Sequence, residues 1–413
     1  MAEHQGSNLS ASNSGSQKDA STASYDNLAI EEGDKVLYAN ISSSKNTSAE
    51  KSTNSKPLII FLVLTLFVVL AVAITVIALY ATGNLPLSSS DDLIFEDTFD
   101  TFRFDWWQHE ITAGGGGNWE FEYYTNNRSN SYVRDNILYI KPTLTLDKFN
   151  NDENAILHGT LDLWGHTPAN LCTGNAWWGC SRTGDGNSIV NPIQSARIRT
   201  VHSFSVKYGK VEVVAKMPQG DWIWPAIWML PKYNEYGDWP ASGEIDIVET
   251  KGNVDYKSPD GVSQGVDSMG STMHWGPCWP WNGWDKTHAT KFFVDDELIL
   301  KVDPGKDGFY KYGGWHESIP DVMNPWANSP NKMAPFDKEF YIVMNVAVGG
   351  TNGFFWEGNI NGGYPKPWSN DSPTAAKDFW EARNLWYPTW NPEVNNGESA
   401  AMQIKSVRVW RGK

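Results

Sequence analysis

Cysteine is scarce in this sequence: there are three among 413 residues, and no two of them form a Cys-x-x-Cys pair. A structural zinc site usually needs four converging Cys or His ligands, so this pattern predicts no metal centre. Cys172 and Cys180 flank a short loop, and they would form a disulfide if the surrounding domain is extracellular. Cys278 stands alone, and the sequence suggests no role for it.

Basic side chains are also few, with 33 lysines and arginines against 48 aspartates and glutamates, for a formal net charge of −15. Nucleic acid and anionic lipid headgroups are bound by cationic surfaces, which so acidic a chain lacks. The composition therefore excludes nucleic acid as a partner, and it excludes a polybasic contact with membranes.

Long apolar stretches are missing except for one, residues 58–81, which carries no charge. At about 1.5 Å of rise per residue, a helix here would span the roughly 30 Å hydrocarbon core of a bilayer. Lysines precede the run closely and aspartates follow it, so the positive-inside rule predicts a cytoplasmic N-terminus. The sequence thus predicts a single-pass type II plasma-membrane protein whose large domain is extracellular.

This interpretation divides the chain into four segments. The first is rich in Ser, Asn and Thr and has no apolar period, which is typical of disorder. The predicted segments are a disordered cytoplasmic tail at 1–57, a transmembrane helix at 58–81, a linker at 82–90 and an outer β domain at 91–413.

The tail contains two copies of a Tyr-x-Asn-aliphatic pattern, which begin at Tyr25 and Tyr38. The pattern fits clathrin-adaptor sorting and, once phosphorylated, binding to phosphotyrosine-reading adaptor domains. Chance is the alternative, because Tyr followed three residues later by an aliphatic residue is common. Adaptor binding at these tyrosines is therefore a hypothesis.

Two sequons for N-glycosylation lie in the outer domain, at Asn127 and Asn370. With the N-terminus inside the cell, these two would meet the glycosylation machinery, whereas the sequons of the tail would not. Asn370 is the weaker acceptor because Pro373 follows its Ser. We therefore predict glycans at these two outer positions.

Tryptophan, in contrast, is abundant: there are 22, many of them in Gly-, Pro- and Asn-rich stretches that are typical of loops. A Trp ring offers a flat apolar face and one N–H donor, which suit the CH face and hydroxyl rim of a sugar. A large aromatic β core is the alternative interpretation. Because loops often carry binding residues, we favour a carbohydrate ligand.

Residues 91–413 have the pattern of β structure. Strand segments at 203–217, 339–348 and 402–410, and a hairpin at 291–302, are separated by turn-rich loops. Many short strands without helix–strand alternation predict an all-β fold, an antiparallel sandwich.

The motif most suggestive of chemistry is GEIDIVE at residues 243–249. Glu244 and Asp246 share a strand face, whereas Glu249 joins them only if a β-bulge lies near residues 247–248. Three carboxylates on one face of an apolar strand are costly, because like charges repel and desolvate. A glycosidase needs such a set, although an exposed acidic strand face is the alternative.

Aromatic residues flank this motif. Trp222, Trp224 and Trp228 lie upstream in DWIWPAIWML, and His274 lies downstream in MHWG. If these segments are neighbouring strands, the indole rings offer platforms for sugars and His274 offers a hydrogen bond near the carboxylates. Core packing is the alternative for Trp228, and an ordinary partly buried histidine is the alternative for His274.

From about residue 93 to 410, the chain closely resembles the laminarinase branch of glycoside hydrolase family sixteen. Within that branch it is most similar to the invertebrate β-1,3-glucan-binding and Gram-negative-bacteria-binding proteins. The resemblance is carried by the stretches YGKVEVVAKMPQGDWIWPAIWMLP, SGEIDIVE, STMHWG, MNVAVGGTNGFF and FWEARNLWYPTWN. It implies a jelly-roll sandwich with a concave glycan cleft and a retaining mechanism.

By motif position, the resemblance implies Glu244 as nucleophile, Asp246 as its assistant and Glu249 as general acid/base. We expect burial and Asp246 to raise the pKa of Glu249 while Glu244 stays ionised. The resemblance also implies that four residues bind substrate in the cleft: Trp222, Trp228, His274 and Asn345. A structural calcium ion has family precedent, but no ligand cluster in the sequence requires one, so we predict no cofactor and no metal.

The chain departs from its secreted relatives in two ways. They usually carry an N-terminal glucan-binding module where this chain has the predicted tail and helix. Many of them have lost a catalytic carboxylate, whereas this sequence keeps all three. The retained set favours a membrane-anchored retaining endo-β-1,3-glucanase that acts on laminarin-like glucans, with the linkage preference left open.

Two alternatives to an enzyme are open. The first is a non-catalytic β-1,3-glucan-binding receptor of innate immunity. The second, an adhesion scaffold, would need internal repeats or a large apolar patch, and the sequence has neither clearly.

Overall fold

The computed structural model describes residues 92–284, 291–319 and 321–412, together with residues 65, 66, 70, 71 and 74. The chain divides into two compact units, residues 1–84 and 85–413. In the first unit the five described residues are helical. The predicted tail with Tyr25 and Tyr38, the linker, and most of the predicted membrane segment lie outside the described residues.

No helix in the described ranges has both the length and the apolar character that crossing a membrane requires. A bilayer needs about 20 apolar helical residues in one run, and the five described near residue 70 do not make such a run. On this finding, the prediction of a single-pass plasma-membrane protein is wrong.

Two antiparallel sheets hold most of the strand residues of the second unit. The six-stranded sheet has the spatial order β15 (Met269–His274), β13 (Glu244–Thr250), β12 (Ile223–Pro231), β18 (Phe340–Val348), β10 (Arg197–Arg199) and β2 (Gln108–His109). The five-stranded sheet has the order β1 (Leu93–Asp97), β20 (Met402–Arg411), β5 (Ile137–Ile140) and β4 (Ser131–Arg134), and β11 (Gly209–Lys216) also pairs with β20. The predicted all-β fold is confirmed.

Smaller sheets and short helices complete the unit. The small sheets are β3 (Glu122–Tyr124) with β9 (Ile193–Ser195) and β6 (Thr143–Leu144), β7 (Thr160–Asp162) with β8 (Ser181–Thr183), β14 (Tyr256–Lys257) with β19 (Ile360–Asn361), and β16 (Lys291–Val294) with β17 (Glu297–Lys301). The α-helices are α1 (Glu153–His158), α2 (Gly308–Tyr312), α3 (Trp315–Ser318), α4 (Ala375–Glu381) and α5 (Arg383–Trp386). Single 3₁₀ turns occur at Gly115–Gly117, Thr145–Phe149, Ala176–Trp178, Tyr387–Trp390 and Asn395–Ala400.

The hydrophobic core is formed by alternate residues of strands from both large sheets. On β12 the side chains of Ile223, Ile227 and Met229 belong to one buried cluster, which also includes side chains from β18 and β20. Because successive side chains of a strand point to opposite faces, the residues between them face the other way. We call that side of the six-stranded sheet the outer face.

Two strand predictions are tested in detail. The predicted strand at 203–217 begins only at Gly209, where a side chain would clash with the Trp410 carbonyl, since a Cβ would lie 2.2 Å from its oxygen. The predicted hairpin is present, and its turn residues Asp295 and Asp296 have φ values of 46° and 67°. Left-handed φ at both positions matches the twist of a two-residue hairpin turn.

His109 of β2 is buried at the edge of the six-stranded sheet. Its Nε2 lies 2.8 Å from Ser131 Oγ and 3.0 Å from Arg128 Nη2. The guanidinium can only donate, so the imidazole is held neutral with Nε2 as acceptor. Burial, with the charge of Arg128 adding to it, lowers the pKa of His109 to about 3.

This histidine should make folding stability depend on pH. The unfolded chain binds a proton at His109 below about pH 6.5, whereas the folded chain does not until about pH 3, so stability is lost as pH falls through this window. Between pH 7 and pH 5, His109 should lower the unfolding free energy of the wild type by roughly 2 kcal/mol. We expect His109→Gln to abolish this contribution. Urea unfolding at both pH values measures it. His202→Gln, at an exposed histidine, is the control; equal pH dependence in wild type and His109→Gln would contradict the assignment.

Candidate active site

A bulge in β13 brings three carboxylates to the outer face. Trp228 of β12 pairs with Asp246 and Ala226 pairs with Glu249, so β13 contains one extra residue between them. The pairing of β13 with β15 shifts between the same two residues. Without the extra residue, Glu249 would point to the face opposite Glu244. The bulge expected from the sequence is therefore present.

Glu244 begins β13 and is half-buried. Its Oε2 accepts a hydrogen bond of 2.6 Å from Trp239 Nε1, and its partner across the strand pair is His274 of β15. Burial and then the charge of Asp246 raise the pKa of Glu244 well above its usual range. This contradicts the expectation that Glu244 stays ionised in the ligand-free protein.

Asp246 lies between the two glutamates and is almost fully buried. Burial and the charge of Glu249 raise its pKa, whereas a hydrogen bond with Glu244 lowers it. The same hydrogen bond raises the pKa of Glu244. Burial thus raises the pKa of both members of this pair.

His274 contacts the same aspartate. Its Nε2 lies 3.1 Å from Asp246 Oδ2, and its Nδ1 lies 2.7 Å from the amide nitrogen of Asn282. With that amide as donor, Nδ1 accepts the hydrogen bond, and Nε2 is the ring nitrogen nearer to Asp246. The predicted position of His274 beside the carboxylates is correct.

Glu249 is held by a column of stacked groups. Trp224 Nε1 donates to its Oε1 at 2.9 Å, the Trp224 ring stacks on Phe354 at 3.8 Å, and Lys251 Nζ lies 3.9 Å from the Phe354 ring centre. Burial raises the pKa of Glu249, against the opposing effects of Trp224, His274 and Lys251. Burial also lowers the pKa of Lys251 to about 8.

A series of hydrogen bonds runs from Trp228 across the outer face. Trp228 Nε1 donates to Asn345 Oδ1 at 2.7 Å, Asn345 Nδ2 donates to the Tyr124 hydroxyl at 3.0 Å, and Tyr124 donates to Glu120 at 3.0 Å. Arg197 lies 3.5 Å from Glu120 and sits over the Tyr124 ring. Trp228 and Asn345 are thus brought together as predicted, and their partners fix their orientation.

Trp222 lies in the core, although we predicted it in the substrate cleft. Its side chain is 0% exposed and packs against Tyr256, Phe355 and Trp368. Its indole N–H donates to the Tyr364 hydroxyl at 3.1 Å. Strand alternation would place Trp222 on the same face as Trp224 and Trp228. It does not apply here, because Trp222 precedes β12 and has a φ of 67°.

The sequence did not single out several residues of the site. Trp239 is 37% exposed and donates to Glu244, and its ring lies 5.8 Å from that of Trp279, which is 71% exposed. Trp239 could have been found, because it lies five residues before Glu244 in the same loop. Lys251 could also have been found, because it lies close to Glu249 in sequence. Phe354 and Asn282 become neighbours of the site only through the fold.

In the described ranges, the metal-ligating side chains that converge are those of Glu244, Asp246 and His274, whose ligand atoms lie within 4.8 Å of one another. These three residues belong to the carboxylate site described above. The predictions of no metal and no cofactor remain predictions.

The disulfide prediction is confirmed, since Cys172 and Cys180 are bonded with Cα atoms 5.6 Å apart. Cys278 is an exposed free thiol. Of the predicted glycosylation sites, Asn127 is exposed, whereas the Asn370 carboxamide is half-buried and accepts from Lys366 Nζ at 2.8 Å. Glycans at both positions remain a prediction, with Asn127 the more accessible.

Comparisons with known proteins agree with this site. A family model described as "XgeA-like, catalytic GH16 domain" matches residues 181–263, which include the carboxylates. The chain is 50% identical over 345 residues to the β-1,3-glucan-binding protein of Penaeus monodon, covering 77% of this chain and 90% of the relative.

More distant relatives are similar over the same part of the chain. Identity is 30% with β-1,3-glucan-binding protein 1 of Galleria mellonella, covering 77% of this chain and 63% of the relative. It is 32% with glucan endo-1,3-beta-glucosidase A1 of Niallia circulans, covering 72% of this chain and 38% of the relative. The chain therefore spans less than two thirds of the length of these two relatives.

The burial of Trp222 can be tested by its effect on stability. We expect Trp222→Ala to lower the unfolding free energy by about 3–5 kcal/mol, because a fully buried ring leaves a cavity. Trp279→Ala, at a largely exposed ring, is the control and should cost about 0.5 kcal/mol or less. Denaturant unfolding measures both. A Trp222→Ala protein with wild-type stability and weaker sugar binding would restore the original assignment.

Proposed function

Because the chain belongs to glycoside hydrolase family sixteen and, within it, to the β-1,3-glucan-binding proteins, we propose that its β-sandwich unit hydrolyses internal β-1,3-glucosidic bonds of laminarin-like glucans with retention of configuration. One observation carries this proposal: the bulge in β13 groups Glu244, Asp246 and Glu249 on the outer face. An endo-1,3-beta-glucosidase among the relatives supports the same reaction.

The first half of the reaction uses Glu244 and Glu249 together. A carboxylate oxygen of Glu244 attacks the anomeric carbon, and the glycosidic bond to the leaving oxygen breaks. Glu249 gives its proton to that oxygen, so the leaving chain departs as an alcohol. Burial supports this role because it raises the pKa of Glu249, which keeps the acid protonated.

The second half returns both groups to their starting state. Water attacks the anomeric carbon of the glycosyl–Glu244 ester, and the carbon–oxygen bond to Glu244 breaks. Glu249, now a carboxylate, takes the proton of the attacking water. Two displacements at one carbon give retention of configuration.

Asp246 makes the nucleophile available. Glu244 attacks only as a carboxylate, so any proton that its raised pKa retains must leave before attack. Asp246 is hydrogen-bonded to Glu244 and can receive that proton, and the Trp239 indole N–H then stabilises the free carboxylate. His274 lies beside Asp246, with its Nε2 3.1 Å from Asp246 Oδ2.

Binding without turnover is the second candidate, because two of the similar relatives are named as glucan-binding proteins. A binding protein of innate immunity would use the same outer face, with Trp228 and Trp239 as platforms for sugar rings. The two candidates differ in whether the carboxylates matter for the measured function.

Amide substitutions separate these candidates. We expect Glu244→Gln to reduce release of reducing ends from laminarin by more than about a thousand-fold while laminarin binding survives, because shape is kept and the nucleophile is lost. Glu249→Gln should reduce turnover by about 10²–10⁴-fold, and less for aryl glucosides with good leaving groups.

Glu317→Gln is the matched control, since that glutamate is exposed and far along the chain from the motif. It should leave hydrolysis and binding unchanged. If the wild-type protein is folded and binds glucan but releases no reducing ends between pH 4 and pH 8, the enzyme assignment fails and the binding assignment stands.

The hydrogen bond from Trp224 should set the alkaline limit of activity. Donation to the Glu249 carboxylate lowers the pKa of Glu249, so Trp224→Phe should raise it. Glu249 works as an acid in its protonated form, so the alkaline limb of the kcat/KM profile should move to higher pH. Trp228→Phe removes an indole that donates to Asn345 instead and is the control. An unmoved alkaline limb in Trp224→Phe would contradict the role of Glu249.

A further inference from the structure

A cavity of about 700 Å³ lies beside the disulfide loop and shares no lining residue with β13. Its wall comes from four separate parts of the chain, residues 119–121, 178–191, 351 and 372–376. The volume falls within the range of about 300–1,000 Å³ that is usual for small-ligand sites. Nothing in the reaction at Glu244 and Glu249 uses this cavity.

Three exposed tryptophans stand at the cavity or next to it. Trp119 and Trp178 line it and are 48% and 69% exposed. Trp177 is 57% exposed and lies 5.2 Å from the Trp119 ring. Water-facing rings gathered in one place are unusual on a folded surface and mark contact with a ligand or partner.

The backbone is strained at the three tryptophans that carry these rings. Trp119, Trp177 and Trp178 have φ values of 55°, 54° and 60°, a region that bulky side chains rarely adopt. The loop that carries the last two is held by the Cys172–Cys180 disulfide.

Hydrogen bonds from outside the loop hold it as well. Arg182 Nη2 donates to the Trp177 carbonyl at 2.9 Å, and the Ala113 amide donates to the Gly179 carbonyl at 2.7 Å. A covalent bond and tertiary hydrogen bonds thus maintain a strained loop whose rings do not enter the core.

The cavity wall is rich in hydrogen-bonding groups that carry no charge. Apart from Arg182 and Glu120, its polar members are hydroxyls and carboxamides: Ser181, Thr183, Asn187, Ser188, Asn191, Thr351, Ser372 and Thr374. Asn191 is 2% exposed, its Nδ2 donates to the Glu122 carbonyl, and its Oδ1 has no hydrogen-bond partner in the described part of the chain. Aromatic faces beside neutral donors and acceptors fit the apolar faces and hydroxyl rim of a sugar.

We propose that this cavity is a second glucan-binding site, which takes a segment of the same neutral β-1,3-glucan chain away from the carboxylates. The identity of the ligand rests on the proposed function, whereas the existence of the site rests on the cavity and its tryptophans. Glu120 belongs to both regions, since it lines the cavity and accepts from Tyr124 in the series that starts at Trp228. One polymer can therefore engage both sites, and the second contact raises its effective affinity.

The test uses the full chain in the Glu244→Gln background, so that no sugar is consumed. By calorimetry we expect two molecules of laminaritetraose to bind per chain, and one in the Trp119→Ala/Trp178→Ala variant. For long laminarin the same variant should bind about 10- to 100-fold more weakly, because the second contact is lost. Trp164→Ala, an equally exposed tryptophan outside the cavity wall, is the matched control and should change neither value.

Three outcomes would overturn the proposal. The first is binding of a single tetrasaccharide per chain before the tryptophans are substituted. The second is a double variant whose stoichiometry and laminarin affinity are unchanged. The third is a double variant that loses both tetrasaccharides while its melting temperature is unchanged. Trp178→Phe keeps an aromatic face and should retain binding. The protein with intact carboxylates is assayed in parallel for hydrolysis of laminarin. If it releases no reducing ends while two tetrasaccharides bind per chain, the hydrolase proposal fails and the second-site proposal stands.

Discussion

The extra residue in β13 is the constraint on which the active site depends. It changes the side to which Glu249 points without changing the side of Glu244 or Asp246. The neighbouring apolar residues Ile245, Ile247 and Val248 still pack against the core, so the strand remains anchored. Because β12 and β15 flank the bulge, their side chains Trp224 and His274 reach the carboxylates, and Trp228 lies opposite Asp246 in the strand register.

Three partly buried carboxyl groups in one place would strongly destabilise the folded state if all were ionised, because like charges repel and lose hydration. The site avoids this by raised pKa values and by neutral donors. The indoles of Trp239 and Trp224 each donate one hydrogen bond to a glutamate, and the imidazole of His274 faces Asp246. Both indole N–H groups therefore steady an acid, and the ring of Trp239 is also 37% exposed, whereas that of Trp224 is covered by Phe354.

Local pattern was enough to predict the bulge, the hairpin at β16–β17 and the Cys172–Cys180 bond, because each depends on residues close in sequence. The resemblance placed Trp222 in the cleft, but Trp222 precedes β12 in a turn with positive φ, so its side chain does not share the face of Trp224 and Trp228. Contacts such as Asn345 with Tyr124 join residues 221 positions apart, and no periodicity encodes them. The apolar run at 58–81 predicted a spanning helix from length and composition alone, and the described residues contain no such helix.

The buried carboxylates also bear on how such a protein can change over evolutionary time. Burial and neighbouring acids raise the pKa of Glu244, and burial raises that of Glu249, so replacing either by a neutral residue of similar shape removes a buried group that is costly to ionise. The indoles that surround them stay in place, held by Phe354 or exposed at the rim. Under the proposed function, loss of hydrolysis is then compatible with retained sugar binding and a more stable fold, whereas regaining hydrolysis requires restoring a buried acid.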